Sequence, residues 1–228
     1  MRTLHPLLSC IRIKNRGSEG MIEIAGGGLR GISCAVELLK RNFEVTIFEA
    51  RQEIGNPVRS PGIIKNLDSD LIEITAAKKT VYGWALRREW LEKELAKKVV
   101  DLGGIIKLKT TAPKNSIDCT GGKSIAPGWP CAGTQDNLVN WRGGIVIKSN
   151  IPNNFTLNEM SEDRFCFERG DGLVECWING DLSRPTQGWL EIMQGEHPLS
   201  VDKIWADEAI KEGQEIAKNI IAPPQEVG

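Results

Sequence analysis

Gly26, Gly28 and Gly31 stand at G-x-G-x-x-G spacing, with Gly27 as a fourth glycine between them. Glycines so placed let bare backbone close on a diphosphate. The first permits a tight turn, the second lets the main chain approach the phosphates, and the third lets the following helix lie close to a strand. Glu49 comes 18 residues after Gly31. A carboxylate at that distance accepts hydrogen bonds from ribose hydroxyls. Its charge disfavours a 2′-phosphate, which makes NADP the least suitable dinucleotide. Leu29 and Arg30 inside the glycine turn, and Ala50 and Arg51 beside the acid, complete the first set of candidate contacts. The chemistry offered is the binding of a nucleotide cofactor.

Catalytic and metal chemistry find less support. Only His5 and His197 are present, and a lone histidine such as His197 reads as structural. Six cysteines are scattered with no C-x-x-C pair, so metal ligation has little basis. Cys34 falls inside a helix and is expected to pack as a small apolar residue. No general acid or base stands out.

The elements that must hold these residues follow from periodicity. Met21 to Ala25 suits a buried strand. Ile32, Ala35, Val36 and Leu39 fall at steps of three and four, which is one face of a helix. Asn42 tolerates the left-handed conformation that ends helices. Phe43 to Phe48 reads as a second strand, closed by Glu49. A strand, a glycine turn, a helix, a strand and an acid in one βαβ unit is the context the motif requires. A structural βαβ unit without ligand is the alternative.

Further along, Arg88 to Leu102 predicts a helix. Leu91, Leu95, Val99 and Leu102 form its inner face, and Glu92, Lys93, Glu94 and Lys97 its solvated one. Ile105 to Lys109 then extends a parallel sheet. Ser116 to Ser124 reads as a short strand ending in Thr120, Gly121 and Gly122, bare backbone at the carboxyl edge where open sheets bind ligands. Residues 65–79 are mixed, with strand character at Leu71 to Thr75, and Val81 to Ala85 is a short strand. The hairpin RFCFERGDGLVECWING turns at Arg169 to Gly172. Gly188 to Met193 reads as a return strand and QGEHPLS as a polar loop. Val201 to Ile221 is the last long helix, in which Gly213 suits a close approach of another backbone.

With 29 basic and 30 acidic residues the chain gives no electrostatic case for nucleic acid. No run of 18 apolar residues exists, so no transmembrane segment is expected. Reduced thiols in a cytoplasmic protein are the simple reading. Residues 1–20 read as a basic, dispensable segment: a flexible tail, an added strand, or an over-extended reading frame with Met21 as the natural start. Residues 21–126 and 190–222 are expected to form the nucleotide-binding domain, and 127–189 a small β-rich cap.

Several of these segments together resemble FAD-dependent oxidoreductases of the geranylgeranyl reductase type, within the p-hydroxybenzoate hydroxylase-like group. IAGGGLRGISCAVELLKRNFEVTIFEAR looks like that group's FAD-binding start, and EIGNPVRSPG like the loop that follows it. Arg88, Leu91, Glu92 and Leu95 fit its arginine-led helix. IDCTGGKS is similar to its late strand-and-turn motif, and AIKEGQEIAKNI to its final helix. The resemblance implies an α/β Rossmann-like FAD/NAD(P)-binding fold with a parallel sheet and a small antiparallel insertion. It implies FAD as cofactor, with Arg88 near the flavin nucleotide. Thr120, Gly121 and Glu196 would lie toward the phosphates and flavin. Gly195 and Glu196 stand where the group has a glycine-aspartate-alanine motif, and Pro198 fits the proline after it. Ser60 takes the place of a cysteine common in the reductases. A serine hydroxyl is too weak an acid to inherit a thiol's role.

The implied activity is that of an FAD-binding oxidoreductase reducing an isoprenoid-like or other apolar small molecule. Two alternatives stand beside it: a non-catalytic nucleotide- or partner-binding protein on the same fold, and an NAD-dependent dehydrogenase, supported by Gly26 to Glu49 alone. Trp177 and Trp189 would line an apolar cavity in the first reading. Core packing of a β-layer is their plainer role.

Overall fold

The computed structural model describes residues 20–120 and 138–222. The tail to residue 19, Gly121 and the APGWP segment lie outside the described residues. In chain order come β1 (Ile22–Ala25), α1 (Leu29–Leu39), β2 (Val45–Glu49), β3 (Ile63–Ile64), a single turn α2 (Leu71–Ile74), β4 (Lys78–Thr80) and β5 (Gly83–Ala85). Then follow α3 (Arg88–Asp101), β6 (Ile105–Leu108), β7 (Ile117–Asp118), β8 (Leu138–Ile147), β9 (Arg164–Glu168), β10 (Leu173–Ile178), β11 (Glu191–Pro198) and α4 (Ala206–Ile221).

β1 lies inside a parallel sheet of order β6-β2-β1-β7. The chain leaves β1 for β2 and β6 on one side and returns to β7 on the other. The strand order therefore reverses between β1 and β7, where open α/β sheets bind ligands. Every residue of β2 is buried, as expected of a strand covered on both faces. α1 packs Ile32, Cys34, Ala35 and Leu38 into that core, and Asn42 ends the turn after it at φ 62°.

α4 lies against α1 at very close range. A Cβ on Gly213 would fall 2.1 Å from the carbonyl oxygen of Arg30. Backbone cannot rotate away as a side chain can. Gly213→Ala is therefore expected to lower stability by about 1–3 kcal/mol through overpacking. Alanine's helix-propensity advantage of about 1 kcal/mol acts in the opposite direction and is the smaller effect. Urea unfolding of the two proteins measures the difference.

A second sheet, antiparallel, has the order β11-β8-β10-β9. The β9–β10 hairpin turns at Arg169 to Gly172, with Gly172 at φ 79°. Trp141, Phe165, Phe167 and Trp177 build its core. A small sheet β3-β5-β4 lies between.

Five local expectations change. Leu102 is exposed and is not on the inner face of α3, which ends at Asp101. Val201–Ile204 is a separate 3-10 turn, so the last helix starts at Ala206. Leu71–Ile74 is helical, although its β-branched residues suggest a strand. Thr75 N–H and Oγ1 both donate to the Leu71 carbonyl, at 3.0 and 2.6 Å, and close the turn locally. Gln194 to Pro198 of QGEHPLS are no loop but the larger part of β11, paired residue for residue with β8. Met193, Gly195 and His197 point inward and Ile192, Gln194 and Glu196 outward, a period of two that the glycine and proline disguise. Glu92 is not on the solvated face of α3. It is only 7% exposed and is paired with Arg88.

Candidate functional site

Gly28 precedes α1 in extended conformation, φ −83° and ψ 179°. Among the described residues nothing lies within 4 Å of where its Cβ would be. Neither backbone geometry nor packing requires glycine there. Its neighbours differ. Gly26 has φ 106°, and a Cβ on Gly31 would meet the Gly26 carbonyl oxygen at 1.9 Å. A side chain on Gly27 would meet Ile54 at 2.8 Å and Glu49 at 3.0 Å. Three glycines thus build the corner, and the fourth leaves it bare. No side chain caps α1 and no acid stands in its first turn. The first amides of a helix lack intrahelical partners, so the positive end of α1 is open to an anion.

Beside this corner lies a cavity of about 770 Å³. Cavities that hold small molecules and cofactors span roughly 300–1,000 Å³. Its wall includes Gly26, Gly28, Glu49 and Thr120 at the sheet's carboxyl edge, and Ile192 and Glu196 on β11.

Glu49 is 5% exposed and holds the glycine turn directly. Its Oε2 accepts the Gly27 N–H at 2.8 Å and the Arg51 guanidinium at 3.0 Å, and its Oε1 accepts the Arg51 N–H at 2.8 Å. A carboxylate offers about four acceptor positions. Three are taken, which leaves one for a sugar hydroxyl. Burial pushes this carboxyl up. Arg51's hydrogen bond and charge, with the Arg51 and Gly27 amides, outweigh burial and hold it below the usual range.

Such a depressed group stabilises the fold fully above its unfolded value near 4.5. That contribution is lost as pH falls through the lower folded value. Glu49→Gln is therefore expected to be less stable at neutral pH and to show a shallower stability loss below about pH 4.5. Urea titrations at neutral and acid pH measure both. An unchanged slope would show that Glu49 is not ionised against Arg51.

The other predicted residues are distributed as follows. Leu29, Arg30, Ala50, Arg51 and Arg88 all line the cavity, whereas Gly27 and Gly31 stand behind it as supports. Arg88 is buried, donates to Glu92 Oε1 at 3.0 Å and reaches the Pro61 carbonyl at 3.4 Å. Arg30 pairs with Glu212 of α4. Thr120 is fixed by Asp118 Oδ1, which accepts its N–H at 2.8 Å and its hydroxyl at 2.6 Å. Ser60 and His197 also line the cavity, and His197 Nε2 lies 2.6 Å from the Arg59 carbonyl oxygen. A carbonyl can only accept, so Nε2 carries the proton.

Trp177 and Trp189 do not line it. Trp177 is wholly buried in the antiparallel core, and the Trp189 ring lies over Gly144. Trp205, at the start of α4, lines the cavity instead.

Sequence reasoning missed Glu175. It is 1% exposed beneath the 57–62 loop. Its Oε1 accepts the Gly62 N–H at 2.9 Å and the Trp177 indole N–H at 2.7 Å, and Arg169 lies 3.3 Å from Oε2. Burial pushes its carboxyl up, and Arg169, Trp177 and Gly62 act against that shift. In the hairpin the acid alternates with apolar residues as any strand residue does, so no local signal marks it as buried.

This geometry, a parallel sheet with a bare helix terminus and an acid-closed βαβ unit, is a Rossmann-like α/β fold. The model of the NAD(P)-binding Rossmann-like domain matches residues 24–67, the same unit. Curated protein sequences include no match. Among solved structures, the chain is similar to a geranylgeranyl bacteriochlorophyll reductase-like protein from Thermoplasma acidophilum. That match has 16% identity, covers 87% of this chain and 78% of the other, and has a TM-score of 0.59. A flavin-dependent brominase matches at 11% identity over 91% and 81% of the two chains, with a TM-score of 0.57. A flavoprotein/dehydrogenase from Cytophaga hutchinsonii matches at 12% identity over 89% and 78%, with a TM-score of 0.56. The fold is thus the one these three proteins share, as the sequence resemblance implies.

Proposed function

We propose that the chain is an FAD-binding oxidoreductase acting on a small, largely apolar molecule. The observation that carries this reading is the bare corner at Gly28, an extended, unobstructed glycine before an uncapped helix, opening on a cavity of about 770 Å³. The α1 amides would hold the diphosphate and Glu49 one ribose hydroxyl. Arg88, Thr120 and Glu196 would lie along the remainder of the cofactor. Bound flavin supplies the hydride chemistry, and the chain's share is position and exclusion of water.

Flavin rather than NAD is favoured by the flavoproteins that share the fold. It is favoured too by a cavity that runs on from the glycine corner to β11 of the second sheet. An apolar substrate suits Ile192, 70% exposed on the cavity wall, with Val58 and Met193 nearby on the same lining. No helix among the described residues is long and apolar enough to cross a membrane.

The test is an absorbance spectrum of the freshly purified protein, followed by FAD titration. A flavin spectrum bleached by dithionite is the expected result. A colourless chain that takes up NAD and not FAD would support a dehydrogenase. One that takes up neither overturns the cofactor assignment and leaves a partner-binding role.

A further inference from the structure

Among the described residues four arginines line the cavity: Arg30, Arg51, Arg59 and Arg88. Three are committed. Arg30 pairs with Glu212, Arg51 with Glu49 and Arg88 with Glu92. Arg59 alone has neither hydrogen bond nor ion pair on its guanidinium among the described residues, although it is half-buried. Lys203, the other unpaired cation among the described lining residues, is exposed. A guanidinium on a half-buried residue of the cavity lining, with five donors and no acceptor, is suited to a carboxylate or phosphate in a bidentate contact.

The backbone around Arg59 is held firmly while its side chain is not. The Arg59 carbonyl accepts from His197 at 2.6 Å, the Pro61 carbonyl lies 3.4 Å from Arg88, and the Gly62 N–H donates to Glu175 at 2.9 Å. A Cβ on Gly195 would come within 2.0 Å of the Arg59 carbonyl oxygen, so β11 presses directly on the loop. Arg59 is thus anchored to the antiparallel sheet, next to the strand that carries Ile192, and not to the glycine corner. A site held this rigidly loses little freedom when it binds.

We propose that Arg59 recognises the anionic head, phosphate or carboxylate, of a substrate whose apolar body lies along β11. This rests on the reading of the cavity as a cofactor and substrate site. The test compares the wild-type chain with Arg59→Gln and Arg59→Lys, each loaded with FAD, using octyl phosphate and uncharged octanol as probes in calorimetric titrations. FAD affinity is measured first by fluorescence.

Arg59→Gln is expected to bind octyl phosphate at least about ten-fold more weakly than wild type, the effect of losing one charged hydrogen-bonding contact. Arg59→Lys should fall between, because it keeps charge without the planar fork. Octanol affinity, FAD affinity and thermal unfolding should not change, since only the Arg59 backbone is held in the fold. Equal octyl phosphate affinity in wild type and Arg59→Gln, with FAD uptake intact, overturns the proposal alone. Loss of FAD affinity in Arg59→Gln with octyl phosphate binding retained also overturns it, by giving Arg59 to the cofactor diphosphate. A wild-type chain that takes up no FAD removes the cofactor reading and this proposal with it.

Discussion

Gly28→Val is expected to leave a folded chain that no longer takes up cofactor. The backbone there is extended, a conformation open to any residue, and no atom of the described residues stands within 4 Å of the new Cβ. Valine replaces glycine at the residue before α1, which costs a few tenths of a kcal/mol to about 1 kcal/mol as a poorer cap. Its branched side chain would fill the space that the proposed cofactor's diphosphate needs. Thermal unfolding should therefore shift slightly, while FAD titration shows no saturable binding. Gly31→Ala, three residues on, should fail in the opposite way. Its Cβ meets the Gly26 carbonyl oxygen at 1.9 Å, so the turn must open and the fold weakens even without cofactor. If both variants bind FAD as wild type does, the site is elsewhere.

Glu175→Leu should be the most destabilising single change in the antiparallel layer. It strands the buried Arg169 charge and leaves the Gly62 and Trp177 N–H groups without their acceptor. Removing one partner of a buried pair costs about 3–5 kcal/mol. Asp171, 2.9 Å from Arg169, offsets part of that loss. The double variant Arg169→Met, Glu175→Leu should recover part of the stability, because the buried arginine charge is gone while Asp171 and the Gly62 and Trp177 N–H groups still lose their partners. Equilibrium urea unfolding of the wild type, both single variants and the double variant closes the cycle. A single-variant loss below about 1 kcal/mol would show that the pair is not dry, since exposed pairs contribute that little.

The pair also bears on function. Glu175 fixes Gly62 from the antiparallel side, Arg88 reaches Pro61 from α3, and His197 holds Arg59 from β11. Three elements distant in sequence meet on one loop. Its position over the cavity depends on the packing of the second sheet against the first. Glu175→Leu should therefore weaken substrate-side binding as well as stability.

How much of this could be read from the chain depends on the range of the interactions. The βαβ unit from β1 to Glu49 was legible because its causes are local. Turn glycines, a three-and-four apolar repeat and a closing acid all fall within one short stretch. The β9–β10 hairpin was legible for the same reason, with its Gly-Asp-Gly tip. β11 was not. Its identity comes from pairing with β8, about fifty residues earlier in the chain, and Gly195 and Pro198 mask its alternation.

Charged residues show the division most clearly. Sequence placed Glu49 and Arg51 at the end of β2, and the structure adds that they neutralise each other. Glu92 read as solvated, yet Arg88 one turn away draws it into the core wall. Arg59 gave no signal at all. Whether an arginine is free to meet a ligand depends on which carboxylates surround it, and those arrive from α4, β2 and α3 only once the chain is folded. By itself the sequence determined the nucleotide-binding unit, because backbone geometry and helix periodicity act between near neighbours. The tertiary structure alone decided which charges are spent on one another and which is left facing the cavity, because burial and pairing act between residues that only folding brings together.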